Sequence, residues 1–194
     1  MRGLRTVLVE QHDLGYGTSS RSSRLIHGGI RYLEEGDIGL VFEALRERRV
    51  LLRIAPHLVR PLPFVFPVHD GDRVPLWKLR AGVWLYDLLA AFRNVGWHRF
   101  LGKRALRRAE PMVREQGLRG GVRYFDAQCD DARLVVATAR AAMRHGALVA
   151  SYMVVEDLIR ADGRIQGVRI RDRLSGTAGQ IRAAVVVNAT GPWC

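Results

Sequence analysis

Gly17–Glu34 reads GTSSRSSRLIHGGIRYLE. This stretch sets the hydroxyls of Thr18, Ser19, Ser20, Ser22 and Ser23 beside Arg21, Arg24, Arg31, His27 and the step Gly28–Gly29. An ordinary core strand or surface helix has no need of that mixture. Hydroxyls donate to phosphate or carbonyl oxygens. A Gly-Gly step lets backbone approach a flat ligand or take positive φ. A guanidinium such as that of Arg31 grips a phosphate or carboxylate with two parallel hydrogen bonds. Tyr32 adds a ring and a hydroxyl beside it. Composition alone also allows a polar loop joining a strand to a helix, because Ser and Gly commonly mark loops.

The residues just before this stretch favour a binding role. Thr6–Val9 (TVLV) is a short, β-branched apolar run, which suits a buried parallel strand. Glu10 follows at its C-terminal end. In dinucleotide-binding folds an acidic residue there accepts hydrogen bonds from ribose hydroxyls.

The run LVEQHDLGYGTSSRSSRLIHGGIRYLE (8–34) resembles the FAD-binding segment of FAD-dependent glycerol-3-phosphate dehydrogenases. The likeness continues through Glu43–His57 (EALRERRVLLRIAPH), Trp84–Asp87 (WLYD), Cys129–Val135 (CDDARLV) and Val187–Trp193 (VNATGPW). These blocks follow in order along nearly the whole chain. The resemblance implies an α/β fold of the FAD/NAD(P)-binding, Rossmann-like kind (D-amino-acid-oxidase-like), incomplete here, with part of a second, substrate lobe. It divides the chain into a first part of the FAD-binding domain (1–58), a partial substrate or cap lobe (59–128) and a second part of the FAD-binding domain (129–194).

A dinucleotide fingerprint needs a strand, G-x-G-x-x-G and a helix, about twenty residues ahead of the acidic residue. Glu10 stands too near the start for that, and Gly117, Gly120 and Gly121 follow no strand-like run. The expectation is therefore an interior piece of the family's chain. Without the glycine loop, backbone N–H groups and a helix dipole are not there to hold the pyrophosphate. Weak FAD binding is expected. A strand edge beside Thr6–Val9 would lie open, available to another chain and so to an oligomer.

The chain has 194 residues, 48% of them hydrophobic, and a formal net charge of +12. It is long enough for a sizeable core and too apolar for disorder. The basic balance favours anionic partners such as phosphorylated substrates or acidic lipid surfaces. No arginine run interleaved with aromatics marks a nucleic-acid binder. Cys129 and Cys194 fit no metal or redox spacing, and the six histidines show no zinc-ligand spacing. No apolar run reaches bilayer-spanning length, and the start is no secretory signal.

Punctuation divides the remainder. Ile38–Ala55 reads as a helix with Leu40, Ala44, Leu51 and Ala55 on one side, Val41, Leu45 and Leu52 beside them, and Glu43, Arg46, Glu47 and Arg49 opposite; Pro56 ends it. Pro61, Pro63 and Pro67 exclude a helix from Arg60 to Asp72. Phe64–Phe66 reads there as a short strand, Asp70-Gly71 as a turn, and the chain is expected to cross into a second lobe. Leu76–Phe92 reads as an apolar helix, either buried or lying in a membrane interface with Trp77, Trp84 and Tyr86 at headgroup level. Asp131–His145 reads as a helix with Asp130 as N-cap and Gly146 as its stop. Strands are expected at Ala147–Ser151, Val154–Arg160, Arg164–Arg171 and Ile181–Ala183, with a hairpin turn at Asp162-Gly163. Val185–Asn188 reads as an unbroken apolar strand.

The resemblance also assigns roles. Glu10 matches the family's ribose ligand. Thr18, Ser19, Ser22, Ser23 and Leu25 match residues along the pyrophosphate and flavin. His27, Gly28 and Gly29 match residues along the isoalloxazine. Val155 would meet adenine through its backbone, and Ala189, Thr190 and Gly191 would pass close to the cofactor. Arg31 matches a substrate-phosphate ligand flanked by Tyr32. The implied reaction takes hydride from C2 of glycerol 3-phosphate to the flavin while a base takes the C2 hydroxyl proton; His27 is the candidate base. Dihydroxyacetone phosphate is the product. The implied setting is peripheral, on the cytoplasmic face of the cell membrane, with quinone as electron acceptor. Two other readings stay open: a piece of the related oxidase, which uses oxygen, and a non-enzymatic basic protein that binds a membrane surface.

Overall fold

The structure, a computed structural model, describes residues 3–30, 32–90 and 96–193. In chain order the strands and helices are β1 (Val7–Val9), β2 (Leu25–Ile26), α1 (Tyr32–Glu35), α2 (Ile38–Ile54), β3 (Val59–His69), α3 (Leu76–Leu89), β4 (Arg99–Leu101), α4 (Lys103–Ala109), β5 (Leu118–Cys129), α5 (Asp131–Arg144), β6 (Leu148–Ala150), β7 (Met153–Ala161), β8 (Arg164–Asp172) and β9 (Ala178–Arg182). Short 3-10 turns lie at Thr18–Ser20 and Gly191–Trp193. These elements form two compact units, Met1–Ser22 with Asp131–Cys194, and Ser23–Asp130. The stretch 59–128 lies in the second unit together with β2, α1 and α2.

β5 is the spine of the second unit. β3 pairs antiparallel along one side of it, while β2 and β4 pair with its two ends. β3 is far longer than the short strand expected around Phe64–Phe66, and it holds three prolines. Pro61, Pro63 and Pro67 face Ala127, Phe125 and Gly121 in the register. They fall on alternate residues, so the missing N–H groups all lie on one side of the strand. An edge strand tolerates that pattern when this side faces away from its partner.

The core of this unit gathers Val41 and Leu45 of α2, Val59 and Val68 of β3, Val83 and Tyr86 of α3, Leu106 of α4, and Val122 and Ala127 of β5. The Asp37 side chain caps α2 by accepting from Leu40 N at 3.0 Å. The buried face of α2 runs through Val41, Leu45 and Arg48, while Leu40 is exposed. Of the expected apolar residues, Val41, Leu45 and Ala55 are buried and Leu40 is not, so the face is rotated toward the Val41–Leu45 side. Arg48 turns inward because a buried carboxylate, Asp126, receives it.

α3 is neither wholly buried nor wholly interfacial. Val83, Tyr86 and Asp87 face inward, while Trp77, Trp84 and Leu88 are 71%, 52% and 57% exposed. Tyr86 is therefore not at an outer surface as the headgroup reading had it; its hydroxyl has internal partners. Phe92, expected at the helix end, lies outside the described residues.

In the first unit β1 pairs parallel with β6, Val7 opposite Leu148 and Val9 opposite Ala150. The parallel pairing matches the sequence reading, but Val7 and Leu8 are exposed rather than buried. A sheet of two strands is too narrow to cover them. β7, β8 and β9 form an antiparallel meander. Asp162 and Gly163, at φ 51° and 71°, make its first turn, as a two-residue hairpin requires. Val185–Asn188 forms no strand with any described residue, and Val185 and Val187 are exposed. An apolar run becomes a strand only where a neighbour completes its ladder.

Candidate functional site

Seven predicted residues of the first unit stand at chain turns, and an eighth lies on a strand. Glu10 follows β1 and is half-buried; its N–H donates to Ala150 O at 2.9 Å, and its Oε1 accepts His12 N–H at 2.8 Å. A carboxylate has about four lone-pair sites, so one such bond leaves acceptor capacity. The hydroxyl-rich loop then turns through the 3-10 segment. His12 stacks on Tyr16 with ring centroids 4.1 Å apart, and the Arg21 guanidinium lies 5.0 Å from the Tyr16 ring centroid. Ser20 Oγ donates to Gly15 O at 2.5 Å. Ser22 Oγ donates to Asp131 Oδ2 at the start of α5. Thr18 is exposed and Ser19 half-buried. Within this loop the structure thus gives Ser20 and Ser22 structural partners and leaves Thr18 outward. Val155 lies on β7, an outer strand of the meander, beside a register shift before Asp157. Asn188 Oδ1 accepts the N–H of Thr190 at 3.1 Å and its hydroxyl at 2.8 Å, which shapes the turn Ala189–Thr190–Gly191.

The second unit holds Ser23, Leu25, His27, Gly28, Gly29 and Tyr32. Leu25 and Ile26 pair with Gln128 and Ala127 of β5. His27 is exposed, and Gly28 and Gly29 are buried. Gly29 has φ 74°, a backbone state that favours glycine. The Tyr32 ring lies 6.4 Å from that of His27 and packs on the cluster of Val41, Leu45 and Tyr86. Arg31 lies outside the described residues.

Beneath Gly28 is a buried polar cluster that the sequence reading missed. Asp126 Oδ1 accepts the Gly28 N–H at 3.0 Å, the Tyr86 hydroxyl at 2.9 Å and Arg48 Nη1. Arg48 Nη1 also reaches Tyr86 Oη and Phe125 O, each at 3.0 Å. A β-carbon on Gly28 would fall 2.8 Å from Tyr86 Cζ, so glycine is required there by packing from below. Burial pushes the Tyr86 phenol well above its ordinary range, Arg48 opposes that rise and Asp126 adds to it. Burial and Asp126 push Tyr124 up to about 12, with Arg48 opposing. Both phenols therefore stay neutral. The only sequence signal for the cluster was an arginine between Glu47 and Arg49 on a helix otherwise amphipathic, and nothing marked it as inward.

Together these features define a cofactor-binding α/β protein: an acidic residue ends a parallel strand, a hydroxyl loop follows, and a histidine-glycine segment is pinned to a sheet. The whole chain, residues 1–194, matches the family model of FAD dependent oxidoreductases, and the chain belongs to that family. It is 45% identical to a glycerol-3-phosphate dehydrogenase of Mycobacterium leprae, over 99% of this chain and 33% of that protein. It is 43% identical to an alpha-glycerophosphate oxidase of Streptococcus pyogenes, over 98% of this chain and 32% of that one. Among solved structures, a glycerol-3-phosphate dehydrogenase from Bacillus halodurans complexed with FAD matches with a TM-score of 0.74 and 31% identity, over 99% of this chain and 30% of that one. The chain spans about a third of the length of the curated relatives it matches.

The donor set fits such a cofactor. Glu10 offers carboxylate oxygens suited to ribose hydroxyls, and Thr18 and Ser19 offer hydroxyls suited to phosphate. Among the described residues no group of three His, Cys, Asp or Glu side chains is placed to hold a metal ion.

Proposed function

We propose that this chain carries cofactor-facing and substrate-facing residues for the flavin-dependent oxidation of sn-glycerol 3-phosphate to dihydroxyacetone phosphate. The observation that carries this reading is the Leu25–Gly28 segment, which is anchored to β5 and leaves His27 exposed, its ring 6.4 Å from that of Tyr32. FAD, when bound, supplies the hydride acceptor. Glu10 accepts from its ribose hydroxyls, and Thr18, Ser19, Ser22, Ser23 and Leu25 line its pyrophosphate and flavin. Val155, Ala189, Thr190 and Gly191 complete the contact. Arg31, with Tyr32 beside it, holds the substrate phosphate by charge-assisted hydrogen bonds. His27 takes the C2 hydroxyl proton as general base.

Quinone is the proposed electron acceptor, at the cytoplasmic face of a membrane. The exposed Trp77, Trp84 and Leu88 on α3, near the basic Lys78 and Arg80, support a peripheral seat of that kind. Among the described residues no helix is long and apolar enough to cross a membrane. Oxygen as acceptor is the second reading, since an alpha-glycerophosphate oxidase is nearly as similar, at 43% identity, as the dehydrogenase at 45%.

Titration of FAD into the purified chain, followed by flavin fluorescence, tests the cofactor part. These 194 residues hold no G-x-G-x-x-G loop, so weak, saturable and reversible quenching is expected. Quenching that never saturates overturns the cofactor assignment. The substrate part is tested by adding glycerol 3-phosphate to the FAD-loaded chain. A further saturable fluorescence change is expected; none, with FAD bound, overturns the substrate assignment.

A further inference from the structure

We propose that Arg48, Tyr86 and Asp126 are positioning residues that hold the His27–Gly28 peptide, and through it the His27 imidazole, in one orientation. The importance of that orientation rests on the reading of His27 as the base. The geometry brackets His27 from both sides. On its N-terminal side Ile26 is held opposite Ala127 in the β2–β5 ladder. On its C-terminal side the Gly28 N–H is held by Asp126 at 3.0 Å. With both neighbours fixed, the φ and ψ angles of His27 have little freedom, and its exposed side chain leaves the backbone in a set direction.

The three supporting residues come from separate elements, α2, α3 and β5, and converge on one carboxylate oxygen. Arg48 also holds the Phe125 carbonyl, next along β5. An isolated buried ion pair is weak evidence of stabilisation, because desolvation offsets its attraction. Here the charged pair has a further feature that stability alone does not ask for. Its carboxylate reaches the buried backbone N–H that directly follows the exposed His27, and a glycine there leaves room for the Tyr86 ring beneath it. The cluster thus transmits the rigidity of three packed elements to a single peptide.

The test uses the complete 194-residue chain without added flavin. Nuclear magnetic resonance reads the Gly28 amide and the ring protons of His27, with His57 and His145 as internal controls. In Asp126→Asn, loss of a charge-assisted acceptor should speed Gly28 amide exchange by about tenfold or more. It should also shift the His27 ring signals while those of His57 and His145 stay put. Unchanged Gly28 and His27 signals alongside a lowered melting temperature would mean a purely structural cluster and would overturn the proposal.

Where Asp126→Asn does not fold, Tyr86→Phe removes one donor and leaves Arg48 and Gly28 on the carboxylate. It should shift the same two residues by a smaller amount, and no shift overturns the proposal. A second arm uses Gly28→Ala, whose new methyl group meets the Tyr86 side chain. Tyr86→Phe in the same chain should return part of the His27 signature; no return counts against the proposal. Failure of the unaltered chain to bind FAD would count against the cofactor reading alone, since every readout here is taken without flavin.

Discussion

Tyr86 donates its phenolic hydrogen to Asp126 Oδ1 at 2.9 Å, and the two residues are only 1% and 3% exposed. A phenol so placed loses its hydration on folding and faces an acceptor that would repel a phenolate. Its pKa is accordingly raised, burial being the main cause. An unfolded tyrosine ionises near about pH 10. The raised folded value means that this group's contribution is whole below about pH 10 and is lost as pH climbs toward the folded value. Tyr124, raised to about 12, acts in the same direction. Denaturant unfolding measured at rising pH should show stability falling from about pH 10 upward. Tyr86→Phe should make that fall shallower; an equally steep fall in the variant would exclude Tyr86 as its source.

His98 Nδ1 lies 2.5 Å from Asp87 Oδ2, with side chains 6% and 4% exposed. Trp84 and Phe100 close over the imidazole, their ring centroids 5.1 and 4.9 Å away. His98→Ala removes one hydrogen-bond partner of a buried carboxyl and opens a cavity beside two aromatic rings. The expected loss is about 2–4 kcal/mol of unfolding free energy, from the lost bond and the packing defect together. His98→Gln, which keeps a donor, should lose less. Urea midpoints of the two variants check the order.

Glycines offer opposite outcomes in one unit. A β-carbon on Gly121 would crowd the Phe66 backbone and the Leu106 side chain, whereas one on Gly82 of α3 meets nothing within 4 Å. Gly121→Ala should destabilise by about 1–3 kcal/mol through overpacking. Gly82→Ala should stabilise by about 0.5–1 kcal/mol through lower helix entropy cost. Thermal melts of both variants decide the matter, and a destabilised Gly82→Ala would argue against the placement of α3.

The exposed stripe of Trp77, Trp84 and Leu88 predicts binding to lipid. Sedimentation with vesicles containing anionic lipid should carry the chain down, and neutral vesicles should do so less. Replacing both tryptophans with serine should weaken binding by about a hundredfold or more, since each large apolar side chain buried contributes about 1.5–3 kcal/mol. Equal sedimentation of the variant would remove α3 from the membrane proposal.

Local pattern was enough for much of this chain. The apolar spacing and Pro56 mark α2, Asp162-Gly163 marks the hairpin, and Gly146 stops α5 within a residue or two of the expected end. The ordered motifs from Glu10 to Trp193 placed the family, because each motif is a chemical requirement written in consecutive residues. Three features were not legible. β3 hid behind its prolines, since tolerance of proline depends on which side of a strand is open. Val185–Asn188 looked like a strand, yet a strand exists only with a partner.

The sequence reading assigned nothing to Arg48 or Asp126, and it left Tyr86 on a helix either buried or interfacial. The separation between the sequence's share and the structure's follows from range. Hydrophobic period, capping and turn chemistry act over a few residues and are settled by neighbours in the chain. Which way Arg48 faces, and why position 28 is glycine, depends on side chains 38 to 98 residues apart meeting at one carboxylate. Only the folded arrangement brings them within hydrogen-bond reach.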